Sequence, residues 1–205
     1  MLVDSEYWYY WTSKFDKKTC EKIIKLGKSK QPSDNSYIGM NKEGSFNKTP
    51  KRVDKKIRNS GVTWLNDQWL YDLIGPFFQA ANNMSGWKFK YEFFLYHNAN
   101  HNADSYKKNQ HYDWHCDIGK THINNKIRKL SCVINLTDPK KFKGGDFYFA
   151  LDNPSGIGRK EIKFKELKNQ GTIVVFPSFV FHKVKPITQG NRYSLVIWGL
   201  GESFK

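Results

Sequence analysis

Two hydrophobic periods divide the chain. In residues 15–27, FDKKTCEKIIKLG, the apolar positions Phe15, Cys20, Ile23, Ile24 and Leu26 recur near one helical face, and Gly27 is placed to end that helix in the left-handed conformation. A polar stretch rich in Ser, Asn and Lys runs from about 28 to 55, and then QWLYDLIGPFFQAANNMSG repeats the helical spacing. Gly75 and Pro76 are expected to kink or divide this second helix. From Lys88 the period moves toward two, in eight strand-like segments: KFKYEFFLYH, HYDWHCD, KLSCVINLT, GDFYFA, EIKFKEL, GTIVVFP, FVFHKVKPI and RYSLVIWGL. Turn residues separate them, among them Gly144-Gly145, Pro154-Ser155-Gly156 and Gln189-Gly190-Asn191. Short strands at this pace with no intervening helix predict a mainly β barrel or sandwich, not βαβ units. The Asn-rich residues 98–109 read as a long exposed loop.

Composition adds bounds to that picture. A chain of 205 residues fits one domain over 1–205, with helical support over about 1–87 and a β core over about 88–200. Cys20, Cys116 and Cys132 are odd in number and far apart, which argues against a disulfide framework and against a structural zinc site. A reducing, cytoplasmic setting is the expectation, with no membrane partner, since no apolar run approaches a span. The balance of 34 Lys+Arg against 19 Asp+Glu gives +15, which can draw an anionic partner, but the basic residues are spread along the chain without a single stripe.

The candidate chemistry lies in HYDWHCD. His115 and Asp117 are two apart on a predicted strand, so both side chains fall on one face, where imidazole nitrogen and carboxylate oxygen suit a divalent ion such as Fe(II). His182, in FPSFVFHKVKPI on the seventh strand, is the candidate third ligand if the sheet closes. Two His and one carboxylate make a facial triad with three positions open. A 2-oxo acid can fill two of them and O2 the third. Arg192 follows His182 by ten residues, across the turn at 189–191, where its guanidinium can grip the acid's far carboxylate; Ser194 faces the same side.

At these residues the chain resembles the 2-oxoglutarate and Fe(II)-dependent dioxygenases, and within them the prolyl 4-hydroxylase-like branch. The resemblance rests on Tyr-x-x-His-x-Asp at 112–117, the strand KLSCVINLT, Gly-Gly-Asp-Phe at 144–147, the Phe-Pro-Ser approach to His182 and Arg-x-Ser at 192–194, and it covers roughly residues 88–200. It implies a double-stranded β-helix, a jelly roll with the iron between two sheets and N-terminal helices against the larger sheet. It also implies an oxidoreductase that consumes 2-oxoglutarate and O2, with ascorbate as a candidate reductant. Three co-substrate contacts come from the resemblance: Tyr112, whose odd offset from His115 needs a bulge; Tyr96, before the loop; and Asn135, where prolyl hydroxylases often carry Tyr.

Other residues read as structural. His97, His101, His111 and His122 lack a ligand context, Cys116 and Trp114 point away from the ligand face, and Gly144-Gly145 make a tight turn and not a phosphate cradle. The leading expectation for the primary substrate is a peptidyl or free amino-acid side chain, proline among the candidates. The alternatives are the same chemistry on a nucleic acid, or a non-catalytic jelly roll that binds a ligand. The segments 98–110 and 119–128 flank the metal motif as candidate lids.

Overall fold

A computed structural model describes residues 7–30, 57–93, 109–118, 125–151 and 160–204, together with the backbone of 101–106. In chain order the described elements are β1 (Tyr9–Trp11), α1 (Lys17–Ser29), β2 (Arg58–Asn59), α2 (Gln68–Met84), β3 (Glu92–Phe93), β4 (His101–Tyr106) and β5 (His111–His115). They continue with β6 (Ile127–Asn135), β7 (Phe142–Gly144), β8 (Phe147–Ala150), β9 (Glu161–Lys163), β10 (Ile173–Pro177), β11 (Phe181–Val184), β12 (Ile187–Gly190) and β13 (Arg192–Gly201).

The strands form a larger sheet, β1-β10-β6-β13-β3 with β4 also on β13, and a smaller one, β2-β5-β11-β8-β9; β12 and β7 pair separately. Every pairing among the described strands is antiparallel. Strand β6 explains the two layers. Its residues Leu130, Cys132 and Ile134 join Cys20 and Ile23 of α1 and Leu70, Ile74 and Phe78 of α2 in one buried cluster, while Val133 joins Phe147, Phe149 and Phe176 in another. Period two therefore sends alternate residues to a helix-covered face and to the space between the sheets, which is why the central strands are nearly continuous apolar runs. This is the jelly roll with helices on the larger sheet that the resemblance implies.

Several boundaries differ from the sequence expectations. Helix α1 begins on Asp16, whose carboxylate accepts from the Thr19 N–H at 2.7 Å, and runs past Gly27, which is buried inside it. Gly27 does not end the helix, which runs on to Ser29. Helix α2 carries Pro76 internally without dividing. Residues 101–106, expected in a loop, form β4 against Arg192–Ile197 of β13; backbone pairing at a sheet margin does not need an apolar pattern. FVFHKVKPI splits into β11 and β12 around Pro186, which has no N–H for a ladder, and EIKFKEL ends in a 3-10 turn at Lys165–Lys168. Gly144 and Gly145 both have positive φ and make the expected turn.

Candidate metal centre

Strand β11 pairs directly with β5, placing His182 opposite His115, and with β8, placing His182 opposite Phe149. Side chains opposite one another share a face, so both imidazoles enter the space between the sheets. Asp117 arrives by a different route from the one its spacing suggests. Strand β5 ends at His115, and Asp117 lies in the bend beyond, where its N–H and that of Ile118 donate to the Ser178 carbonyl at 2.8 and 3.0 Å. The turn between β10 and β11 thus clamps the ligand loop.

The ligating atoms of His115, Asp117 and His182 all lie within 4.8 Å of one another. Asp117 Oδ1 is 3.7 Å from His115 Nε2, and its Oδ2 is 3.6 Å from His182 Nε2. Each imidazole donates from Nδ1 to a backbone carbonyl, His115 to Asp113 at 2.7 Å and His182 to Val180 at 2.9 Å. A carbonyl can only accept, so Nδ1 carries the hydrogen and the Nε2 lone pair is left for the cluster. Burial, with His182 alongside, pushes the His115 pKa well down, so this imidazole is held neutral as a metal ligand must be. Burial alone would raise the Asp117 carboxyl, but His182, His115 and Arg128 outweigh it and hold it at about 2. Two imidazoles with Nε2 turned toward one carboxylate fit a divalent ion with free coordination positions.

Around the cluster, Ser131 on β6 donates its hydroxyl to Asp117 Oδ2 at 2.8 Å and shares a hydrogen bond with the Ser178 hydroxyl at 2.9 Å. Ser131 had a sequence signal in its parity: it shares the inner face of β6 with Val133. Replacing Ser131 with alanine frees the carboxylate to turn, and metal affinity should fall about 10–100-fold. A Co(II) titration with an unchanged circular dichroism spectrum checks this; full affinity would remove Ser131 from the centre.

Tyr112 lies against His115. The register between β5 and β11 shifts between His182 and Val184, a bulge that sets Tyr112 opposite Val184 and lets its ring stack on His115 with centroids 3.4 Å apart. The Arg58 guanidinium lies 4.7 Å from the Tyr112 ring centroid, and Arg128 lies 4.0 Å over Trp198 while donating to the Asp117 carbonyl at 3.3 Å. These two arginines, missed in the sequence, flank the cluster. Trp64, 38% exposed, extends the aromatic margin 6.4 Å from Trp198. On the other side, Lys183 covers Trp114 at 4.2 Å, which confirms that Trp114 faces outward.

Arg192 and Ser194 are each 2% exposed and alternate with Leu195 of the helix-facing cluster, so both face the inner layer. A cavity of about 350 Å³ is lined by Arg192, Phe147, Phe164, Lys163, Lys168 and Asp146 among others; Ser194 is not in its wall. Phe147 also lies parallel to the His182 ring at 5.5 Å, linking cavity and cluster. Asn135 corrects one expectation. Its amide donates both hydrogens, to the Thr137 and Lys168 carbonyls at 2.9 Å each, so none is left for a carboxylate. Tyr96 lies outside the described residues, as do 119–124 of the candidate lid. Among the described residues no helix is long and apolar enough to cross a membrane, and the three cysteines are unbonded to one another.

Comparisons with known proteins agree with this geometry. The sequence profile of the 2OG-Fe(II) oxygenase superfamily matches residues 101–199. A PKHD-type hydroxylase of Xylella fastidiosa strain M12 is 29% identical over 101 residues, covering 45% of this chain and 40% of that protein. The chain thus matches less than half the length of this curated relative. In fold, it resembles a viral collagen prolyl hydroxylase of Paramecium Bursaria Chlorella virus-1 solved with 2OG (TM-score 0.64, 18% identity, 97% of this chain and 98% of that one). It also resembles a Trichoplax adhaerens prolyl hydroxylase solved with a hypoxia inducible factor peptide (TM-score 0.65, 15% identity, 96% and 84%). Two imidazoles and a carboxylate between the sheets of a jelly roll are the donor set of a non-haem Fe(II) facial triad. Over residues 101–199 the chain is thus similar to the 2OG-Fe(II) oxygenase superfamily, and the named proteins it resembles are PKHD-type and prolyl hydroxylases.

Proposed function

We propose that this protein is a 2-oxoglutarate-dependent Fe(II) hydroxylase acting on a peptidyl or amino-acid side chain, with His115, Asp117 and His182 as the iron ligands. The observation that carries it is the convergence of those three donors within 4.8 Å, with both Nδ1 atoms already committed to backbone carbonyls. Bound there, iron with 2-oxoglutarate and O2 supplies oxidation of a C–H bond, with succinate and CO2 as co-products. The chain's own task is positioning. Arg192 offers a buried guanidinium for the co-substrate's distal carboxylate. Phe147 and Phe176, whose rings lie 5.5 and 4.9 Å from His182, keep water from the inner side of the centre.

The margin beside Asp117 supports the substrate class. Trp64, 38% exposed, presents an aromatic face there, backed by the buried Trp198, while Arg128 lies over Trp198 and Arg58 over Tyr112. Rigid aromatic surfaces pack against a proline ring or an extended peptide, and guanidinium groups donate to peptide carbonyls. Relatives named as PKHD-type hydroxylases and a neighbour solved with a peptide point the same way.

The test is anaerobic loading with Fe(II) and 2-oxoglutarate, then O2 with a panel of proline-containing peptides. Peptide-dependent succinate release and a mass gain of one oxygen are expected. Turnover only with single-stranded oligonucleotides would move the substrate to nucleic acid, and failure to bind Fe(II) and 2-oxoglutarate would leave a non-catalytic jelly roll. Arg192→Ala should raise the KM for 2-oxoglutarate about 10–100-fold, the loss of a charge-assisted pair, and leave metal stoichiometry intact. An unchanged KM would place the co-substrate elsewhere.

A further inference from the structure

Asn135 opposes Ser194 in the pairing of β6 with β13, so it lies on the inner layer near Arg192, at the end of the jelly roll that holds the cavity. Having given one amide hydrogen to the Lys168 carbonyl, it fixes the end of the 3-10 turn Lys165–Lys168 against β6. That anchoring brings the Lys168 side chain to the wall of the cavity that Arg192 also lines. The stem of Lys168 passes over Phe142, with the ammonium 4.2 Å from the ring centroid, and the ammonium donates to the Gly144 carbonyl at the tight turn.

The charge around this cavity does not balance. Lys163, Lys165, Lys168 and Arg192 line it against a single carboxylate, Asp146. Asp146 is taken by Lys163 at 2.6 Å and stands 3.8 Å from Lys168. Burial, and then the like charges of Arg192 and Lys163, hold the Lys168 ammonium below its ordinary range despite Asp146, so an anion entering the cavity relieves both cations. Lys168 is about a third exposed, at 31%, and lines the same cavity as Arg192, so its flexible four-carbon stem has room to turn toward an anion there.

We propose that Lys168 is a second cation for the distal carboxylate of the 2-oxo acid, acting with Arg192 in place of the donor that Asn135 has committed to the backbone. This rests on the co-substrate reading given above. It makes the pocket selective for a dicarboxylate: the charge of Lys168 contributes only when the acid has a far carboxylate.

The experiment uses the full chain loaded with Mn(II) under anaerobic conditions, so that no turnover occurs, titrated calorimetrically with 2-oxoglutarate and with 2-oxobutyrate, which lacks the distal carboxylate. Lys168→Met should weaken 2-oxoglutarate about tenfold, as expected for one partly exposed charge-assisted hydrogen bond, with 2-oxobutyrate and Mn(II) affinities unchanged. Lys168→Arg should retain most of the affinity. Equal affinity of wild type and Lys168→Met for 2-oxoglutarate overturns the inference alone, as does an equal loss for both acids. A wild type that takes up Mn(II) but no 2-oxoglutarate overturns both the inference and the reading beneath it.

Discussion

His182→Ala is expected to leave a folded protein that retains no iron through desalting and releases no succinate. The imidazole is 4% exposed and supplies one of the three donors in the cluster; without it, His115 and Asp117 alone must hold the ion. Loss of a supporting hydrogen bond costs about 10–100-fold in metal affinity, and loss of a ligand exceeds that. Asp117→Ala should be as damaging to turnover and worse for stability. It removes the one anion among His115, His182 and Arg128, and leaves the Ser131 hydroxyl without its carboxylate acceptor. Breaking a buried charge set by deleting one member costs about 3–5 kcal/mol. Metal analysis, succinate assay and thermal denaturation of the two variants together check the assignment. Stoichiometric iron in either one would show that the cluster is not the metal centre.

Which parts of this site could be read from sequence depends on whether strand parity governs them. His115, His182, Arg192 and Ser194 sit on strands, and period two is enough to aim them inward. Their mutual pairing follows from closure of the small sheet, where His182 falls opposite His115. Asp117 joins the cluster by a route that strand parity does not describe, since β5 ends before it; the Ser178 carbonyl holds its backbone where strand pairing would have. Tyr112 needed a bulge, a feature of the pairing with β11 and therefore invisible in the local pattern.

The misses share a cause. Asn135 and Lys168 are joined by a side-chain to backbone hydrogen bond across 33 positions, and Arg128 reaches Trp198 and the Asp117 carbonyl from the second position of β6. Such contacts are decided by tertiary approach, not by periodicity. The same holds for β4: its Asn-rich sequence has loop composition, yet six of its residues pair with β13.

Phe149→Ala should be the most destabilising of the simple core truncations, and it should reach the metal centre as well. Phe149 is fully buried, stacks on Trp8 at 4.2 Å and 8°, and meets Phe147 and Phe176 at 5.0 and 5.1 Å. It also lies directly opposite His182 in the β8·β11 pairing, while Phe147 and Phe176 themselves pack on the His182 ring. Truncation costs about 3–5 kcal/mol in a core that cannot collapse around the gap. At about 2–4 °C per kcal/mol for a chain of this size, the Tm should fall by about 6–20 °C. Phe149→Leu keeps most of the volume and should cost less than about 1.5 kcal/mol. Because the rings that fix His182 relax into the cavity, Co(II) affinity should weaken in the alanine variant and stay near wild type in the leucine variant. A Tm shift of only a degree or two in Phe149→Ala, or weakened Co(II) binding with no loss of stability, would show that the aromatic layer and the metal centre are not mechanically joined.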